Sequence, residues 1–287
     1  MTSARVFLFG PLVLLATPFL LLPAALGFLL SFTNYAPGAT AQGFIGLDGY
    51  RALLGDPQFV ASLRNVAIFA LVSVPLALVV GFAIAYLLRE PFAGRGIVRV
   101  ILLVPWLVSP VANGVMWHYL LTGGTGLLNY IESLFGLSAG PSPLGLSGLA
   151  LPAAMATEIW RKAPLAGFLL LPGLLAIPRE LWEQATLEGA SITQRVRHVA
   201  LPALRPLLVT VALLLTADAL GAFDGVLILT GGGPGTETLL PGLYSFQRAF
   251  QQNNWAAGAT GGWIIAAAVL LVGSGYVVLI RRLRGVE

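Results

Sequence analysis

An all-α integral membrane protein with six transmembrane helices is the fold class this sequence predicts, on three observations. Charged residues fill only 10% of the 287 positions and apolar types 57%, with a mean hydropathy of +0.87, far from the roughly one-quarter charged usage of soluble domains. Six apolar runs are each long enough to cross a hydrocarbon core of roughly 30 Å, which takes roughly 20 helical residues. The arginines between the runs gather in alternate loops, the bias that sets membrane orientation. Closed barrels would show shorter alternating strands. No stretch has the mixed composition of a separate globular domain, so residues 1–287 read as a single transmembrane domain.

The first run, Val6–Phe32, is uncharged and longer than the roughly 7–15 residues of a signal-peptide core; it is expected to stay in the membrane. The others are about Asn65–Leu88, Ile97–Leu121, Leu146–Ile177, Pro206–Thr230 and Ala256–Ile280. Prolines at 11, 18, 23, 75, 105, 110, 164 and 172 fall inside these runs, where neighbouring helices and water satisfy the carbonyls they free, so kinks are expected. Arg5, Arg89, Arg95, Arg99, Arg179, Arg195, Arg197, Arg205, Arg281, Arg282 and Arg284 share one set of loops, against Arg51, Arg64 and Arg248 in the other. Both termini, the 89–99 loop and the block from Glu183 to Pro206 are therefore expected in the cytoplasm. Thr33–Leu63, Thr122–Gly145 and Gly231–Trp255 are expected outside.

Cysteine is absent, which excludes disulfides and thiolate metal sites, and His118 and His198 are too far apart for a local ligand pair. No metal site is expected. The net charge of +4 follows from the loop bias and makes no basic patch of the kind that binds nucleic acid.

The block Glu183–Pro206 sets two acids, three arginines and a histidine between two apolar runs. Pro178 suits the first turn of a short helix over Arg179–Glu188, Gly189 reaches positive φ without strain, and Ser191 can cap a second short helix over Ile192–Val199. Leu201 and Pro202 then lead into the fifth run. The product is a rigid helical hairpin over 178–203 between two membrane helices.

Glu183, Ala185, Glu188-Gly189-Ala190-Ser191, Leu201-Pro202 and Pro206 resemble the EAA loop of the membrane-spanning subunits of ATP-driven importers. Gln184 replaces the usual first alanine and Glu188 the common aspartate. SFTNY and GLDGYRALLGDPQF after the first run, GRGIVRVILLVPWLVSPVANGVMW, and FDGVLILTGGGPGTETLLPGLYSFQRAF are similar, in order, to the carbohydrate branch of that family, the maltose and glycerol-3-phosphate type permeases. The resemblance implies a subunit of the bacterial inner membrane that forms half of the pathway for a sugar or sugar-like solute. It implies that the hairpin is a cytoplasmic coupling helix docked on an ATPase subunit through Glu183, Ala185, Glu188, Gly189, Ala190, Ser191, Leu201 and Pro202. Two ATP-binding subunits, which hold the ATP and Mg, a second permease subunit and an extracytoplasmic solute-binding protein are the implied partners. This chain itself is expected to bind no cofactor.

Ionisable groups inside a bilayer cost roughly 2.5–3.5 kcal/mol each on insertion scales and mark candidate pathways. Glu158 stands three and four residues before Arg161 and Lys162, the spacing of an intrahelical ion pair, so this group reads equally as structural or as a solute contact. Trp160 stands where the family carries an aromatic, and its face could meet a sugar ring or lipid. Asp218 and Asp224 have no basic residue within a helical turn. Asp224 follows Phe223 in the segment that resembles the family's sugar-facing turn. These two aspartates, Phe223 and Trp160 are the candidates for the solute path.

Gly231–Gly233 and Pro234 are followed by no Lys-Ser or Lys-Thr, so they are not a phosphate loop; they precede an expected short periplasmic helix, Glu237–Phe250. Asn113 and His118 are expected to hydrogen-bond between helices. An ion-coupled secondary transporter built on Asp218 or Asp224 is the competing function, but it leaves the hairpin unexplained. An intramembrane enzyme lacks a nucleophile, base or metal constellation.

Overall fold

The computed structural model describes residues 17–39, 42–124, 126–136 and 140–284. Among these there is no β-strand, only an isolated bridge between Thr33 and Phe44. The chain divides into two compact units, Met1–Val60 with Pro241–Ala267, and Ala61–Leu240 with Ala268–Glu287.

In the first unit, α1 (Thr17–Leu30) makes up the described part of the first run up to a turn at Ser31 and Phe32; Val6–Ala16 lies outside the described residues. Phe28 of α1 meets Trp263 edge-on at 4.9 Å. The Thr260 hydroxyl donates to the Ser31 carbonyl at 3.1 Å, and the Ser31 hydroxyl bonds Tyr50 of α2 (Asp48–Leu54) at 2.6 Å. Both Trp263 and Thr260 belong to the final long helix, α13 (Trp255–Arg284).

A three-residue latch ties the start of α3 (Pro57–Arg89) to α12 (Pro241–Phe246) and the π-turn Gln247–Gln251 that continues it. Asp56 caps α3 by accepting the N–H groups of Gln58 (2.8 Å) and Phe59 (3.4 Å) on one oxygen, with Pro57 in the first helical position, where its missing N–H costs nothing. Its other oxygen accepts from the Tyr244 hydroxyl (2.6 Å) and from Arg248 (2.7 Å). Burial raises the Asp56 carboxyl, but the Tyr244 hydroxyl, the two backbone N–H groups and the Arg248 charge outweigh it and hold the group below its ordinary 3.8. Burial, then the bond to Asp56, pushes Tyr244 up to about 12. A carboxyl depressed on folding stabilises the native state above its unfolded pKa and loses that contribution as the pH falls through the native value. Asp56→Asn is therefore expected to lower the melting temperature by a constant amount from pH 8 to 5, with the gap closing below 3.8. A gap unchanged at pH 3 would assign the loss to shape rather than charge.

The short helix expected over Glu237–Phe250 begins at Pro241 rather than at Glu237, because residues 236–240 are drawn into other bonds. In the second unit, Asn65 donates to the carbonyls of Thr236 (2.7 Å) and Leu239 (3.0 Å). Glu237 accepts from the Ser147 hydroxyl and from the Gly148 N–H (2.8 Å), which together hold its carboxyl below the usual value.

The 33 residues of α3 extend about 50 Å at 1.5 Å per residue. The third run, expected as a single span, is two helices, α4 (Arg95–Leu107) and α5 (Pro110–Leu121), bent by 94°. Pro110 forces Ser109 into extended backbone (ψ 151°) and Ser109 caps α5 by accepting the Ala112 N–H, so one helix ends and another starts there. After α6 (Leu127–Leu134), α7 (Ala150–Leu175) carries the fourth run and turns by 83° into α8 (Arg179–Leu187).

The second arm of the hairpin is not a separate short helix. α9 (Ile192–Arg195) passes through a π-turn at Val196–Ala200 into α10 (Leu201–Gly221), giving one rod over Ile192–Gly221. Pro202 has no N–H to donate, and with the π-turn just before it the helix changes register there instead of stopping, while Pro206 lies inside the α-helix that follows. The fifth run then breaks before Thr230: Ala222 is extended (ψ 134°), and α11 (Asp224–Leu229) restarts after Phe223. By length and composition three helices can cross a membrane, Pro57–Arg89, Ile192–Gly221 and Trp255–Arg282, and the two bent pairs bring the number to five among the described residues.

Small residues bring these helices together, as expected where lipid supplies no hydrophobic drive for association. Gly81 of α3 lies against Ala163, Ala166 and Gly167 of α7, and Gly114 of α5 against the Gly225 carbonyl of α11.

Candidate functional site

The break between α10 and α11 opens a cavity of about 220 Å³ in the second unit. Its wall takes Phe69 from α3, Asn113 from α5, Thr157, Glu158 and Arg161 from α7, and Asp218 and the stretch from Gly221 to Val226 around the break. Arg161 grips Glu158 with two bonds, Nε to Oε2 at 3.1 Å and Nη2 to Oε1 at 2.6 Å. Lys162 does not share that carboxylate; its Nζ lies 2.7 Å from Asp218 Oδ2, with Arg161 at 3.9 Å. Asp218, unpaired along its own helix, thus has its cation delivered across the packing from α7. A carboxylate so committed is no open site for ion coupling.

Asp224 differs. Its Oδ1 accepts the N–H of its neighbour Gly225 at 3.0 Å, and among the described residues no cation lies within ion-pair distance. Phe223 joins it in the wall. Trp160 does not; it stands edge-on to Trp117 at 5.6 Å, away from the lining. Asn113, expected in a bond between helices, is 3% exposed with its side-chain oxygen unpartnered among the described residues, and it faces the cavity. A polar residue within an apolar run was its only sequence signal. His118 does bond across helices, to the Leu229 carbonyl at 2.8 Å.

The hairpin is built by local chemistry. Gly189 adopts φ +74°, the Ala190 N–H returns to the Ala185 carbonyl at 2.9 Å, and Ser191 and Gln194 form a reciprocal capping box. Glu183 pairs with Arg179 at 3.0 Å, both well exposed, which is worth little energetically. Glu188, Gly189 and Ser191 are also exposed, Ala185 and Ala190 half-buried, and Leu201 and Pro202 follow the π-turn directly. What fastens α8 is Trp182: the Arg89 guanidinium at the end of α3 sits 3.8 Å from its ring and 4.6 Å from that of Tyr86. At the tip Leu187 is 89% exposed, an apolar knob left bare by the described residues.

Bent and broken apolar helices, a polar cavity at a helix break and a rigid charged hairpin define a membrane transport subunit. The chain belongs to the family of binding-protein-dependent transport system inner membrane components, which it matches over residues 77–285, and it is a permease subunit of an ATP-binding-cassette importer. It is 35% identical over 236 residues, 82% of this chain and 80% of the relative, to the trehalose/maltose transport system permease protein MalF of Thermococcus litoralis. Two further relatives are 30% identical. The trehalose transport system permease protein SugA of Mycobacterium tuberculosis aligns over 82% of this chain and 74% of its own. The sulfoquinovosyl glycerol transport system permease protein SmoG of Agrobacterium fabrum aligns over 96% and 90%. The fold is that of a chain in the crystal structure of a bacterial ABC transporter involved in the import of the acidic polysaccharide alginate, with a TM-score of 0.82, 20% identity, and 97% and 96% of the two chains covered.

Proposed function

We propose that this chain lines half of the transmembrane path of a sugar or sugar-like solute, and that the solute passes the cavity at Asp224. The observation that carries this reading is a polar cavity at the helix break of a chain whose relatives are named for trehalose, maltose and a sulfoquinovosyl glycerol. At about 220 Å³ the cavity is smaller than the roughly 300–1,000 Å³ of complete small-molecule sites, which suits one wall of a site shared with a second permease subunit. Six membrane crossings, counting the bent pairs and the first run, put both termini and the hairpin in the cytoplasm by the arginine bias. There the hairpin, 178–203, is the coupling element. Glu183, Ala185, Glu188, Gly189, Ala190 and Ser191 form its docking surface, and Leu201-Pro202 joins it to the membrane rod. ATP and Mg reside on two separate subunits, and a solute-binding protein delivers the sugar from outside.

The test uses the complex purified from its own host and reconstituted in vesicles. Copurification with a P-loop ATPase and a second permease is expected. Gly189→Val strains a left-handed backbone position, and Glu183→Lys reverses a docking charge. Both variants should reach the membrane, keep ATP hydrolysis within about twofold and lose ATP-driven uptake by at least tenfold (about 1.4 kcal/mol or more of coupling). Normal uptake in both would remove the coupling role.

A further inference from the structure

We infer that the cavity admits uncharged, hydroxyl-rich solutes and turns away anionic ones, and that Asp224 is the residue that discriminates. The inference rests on the reading of this cavity as part of the solute path. Three carboxylates stand in its wall, Glu158, Asp218 and Asp224. The two cations in reach are both committed. Arg161 is held by Glu158 through two bonds, and Lys162 is 2.7 Å from Asp218. Asp224 is left as the charge with no counter-ion among the described residues, and its Oδ1 accepts the N–H of the next residue.

A phosphate, sulfonate or uronate entering the cavity would therefore face a carboxylate and find no free cation, and to obtain one it would have to break an ion pair already formed. Groups of like sign brought together out of water repel strongly, which is how a site rejects the wrong ligand. A neutral sugar meets no such penalty. Its hydroxyls can donate to Asp224, which as a carboxylate only accepts. The second independent observation is Asn113: a side chain 3% exposed whose amide oxygen has no partner among the described residues lines the same wall. A buried unpaired amide is costly unless something satisfies it, and a hydroxyl, both donor and acceptor, can pair with either end of the amide. Phe69 and Phe223 supply apolar faces for the C–H side of a sugar ring. Together these groups ask for a ligand rich in hydroxyls and poor in negative charge.

The experiment measures equilibrium binding to the assembled importer in lipid nanodiscs, without the solute-binding protein, by saturation-transfer NMR into the millimolar range. The probes are matched pairs, trehalose and maltose against their 6-phosphates. Uptake of the same sugars by the complete system is measured in parallel. The expected result is at least tenfold weaker binding of each phosphate in the wild type, with the ratio narrowing to threefold or less in Asp224→Asn and kept in Asp224→Glu, which retains the charge. Melting temperatures of both variants show that the fold is intact. Equal or tighter binding of the phosphates in the wild type overturns the inference and leaves the carbohydrate reading standing. Uptake of neutral sugars with no binding to the nanodisc complex also overturns it, since the cavity is then not where discrimination occurs. Absence of both binding and uptake for every sugar overturns the carbohydrate reading, and the inference with it.

Discussion

Arg161→Met is expected to destabilise the second unit by about 3–5 kcal/mol, the cost of removing one partner from a buried ion pair. The Arg161 side chain is 9% exposed and that of Glu158 14%, so the glutamate left behind has little water to turn to. Lys162 cannot compensate without abandoning Asp218, 2.7 Å away. Loss of the weaker Arg161 contact to Asp218 at 3.9 Å adds to the same side. The decisive comparison is Glu158→Met with Arg161→Met. Replacing both partners by apolar residues leaves no uncompensated charge and often restores or exceeds the original stability, so the double variant should recover most of the loss. Melting of the solubilised complex for the wild type, both single variants and the double variant gives the coupling energy. A double variant no more stable than Arg161→Met would mean that the loss comes from packing around α7 and not from the charge.

Gly81→Leu is expected to prevent normal assembly of α3 on α7. A Cβ on Gly81 would stand 2.6 Å from Ala166 Cβ, 2.7 Å from the Ala163 carbonyl oxygen and 2.8 Å from the Gly167 nitrogen. Two of those three atoms are backbone, so no rotamer change relieves them, and the helices themselves must separate. Even Gly81→Ala should cost about 1–3 kcal/mol, as overpacking does in a close-packed interior. Gly262→Ala provides the control, because nothing lies within 4 Å of that position and alanine is the better helix former by about 0.5–1 kcal/mol. Yield and melting temperature should fall steeply from Gly81→Ala to Gly81→Leu and stay level in Gly262→Ala. An unchanged Gly81→Leu protein would show that α3 and α7 do not approach this closely.

Local features of the hairpin were legible because their causes lie within a few residues. Gly189 turns left-handed for want of a Cβ, and Ser191 caps the second arm, though its reciprocal bond with Gln194 was not anticipated. Less legible were the places where prolines act. Pro110 was expected to kink a span, and with Ser109 as a cap it instead starts a new helix at 94°. Leu201 and Pro202 were expected to lead from a separate short helix, Ile192–Val199, into the fifth run, and the π-turn before them fuses the two into one rod. A proline removes a donor in every context, but whether the helix kinks, stops or changes register depends on what surrounds the freed carbonyl. The candidate site divides in the same way. Asp224 and Phe223 stand in the cavity wall, whereas Trp160 turns to Trp117 and Asn113 takes a place in the wall that its sequence context did not mark.

By itself the sequence determined that this is a helical membrane protein, where its apolar runs lie and which segment forms a charged hairpin, because composition and helical periodicity are local and additive. Only the tertiary structure decided that Lys162 belongs to Asp218, that Arg89 clasps Trp182 and that Asp224 finds no counter-ion among the described residues. Those pairings join residues between 56 and 93 positions apart in the chain, and a charge buried among helices is settled by whichever partner the packing brings within reach.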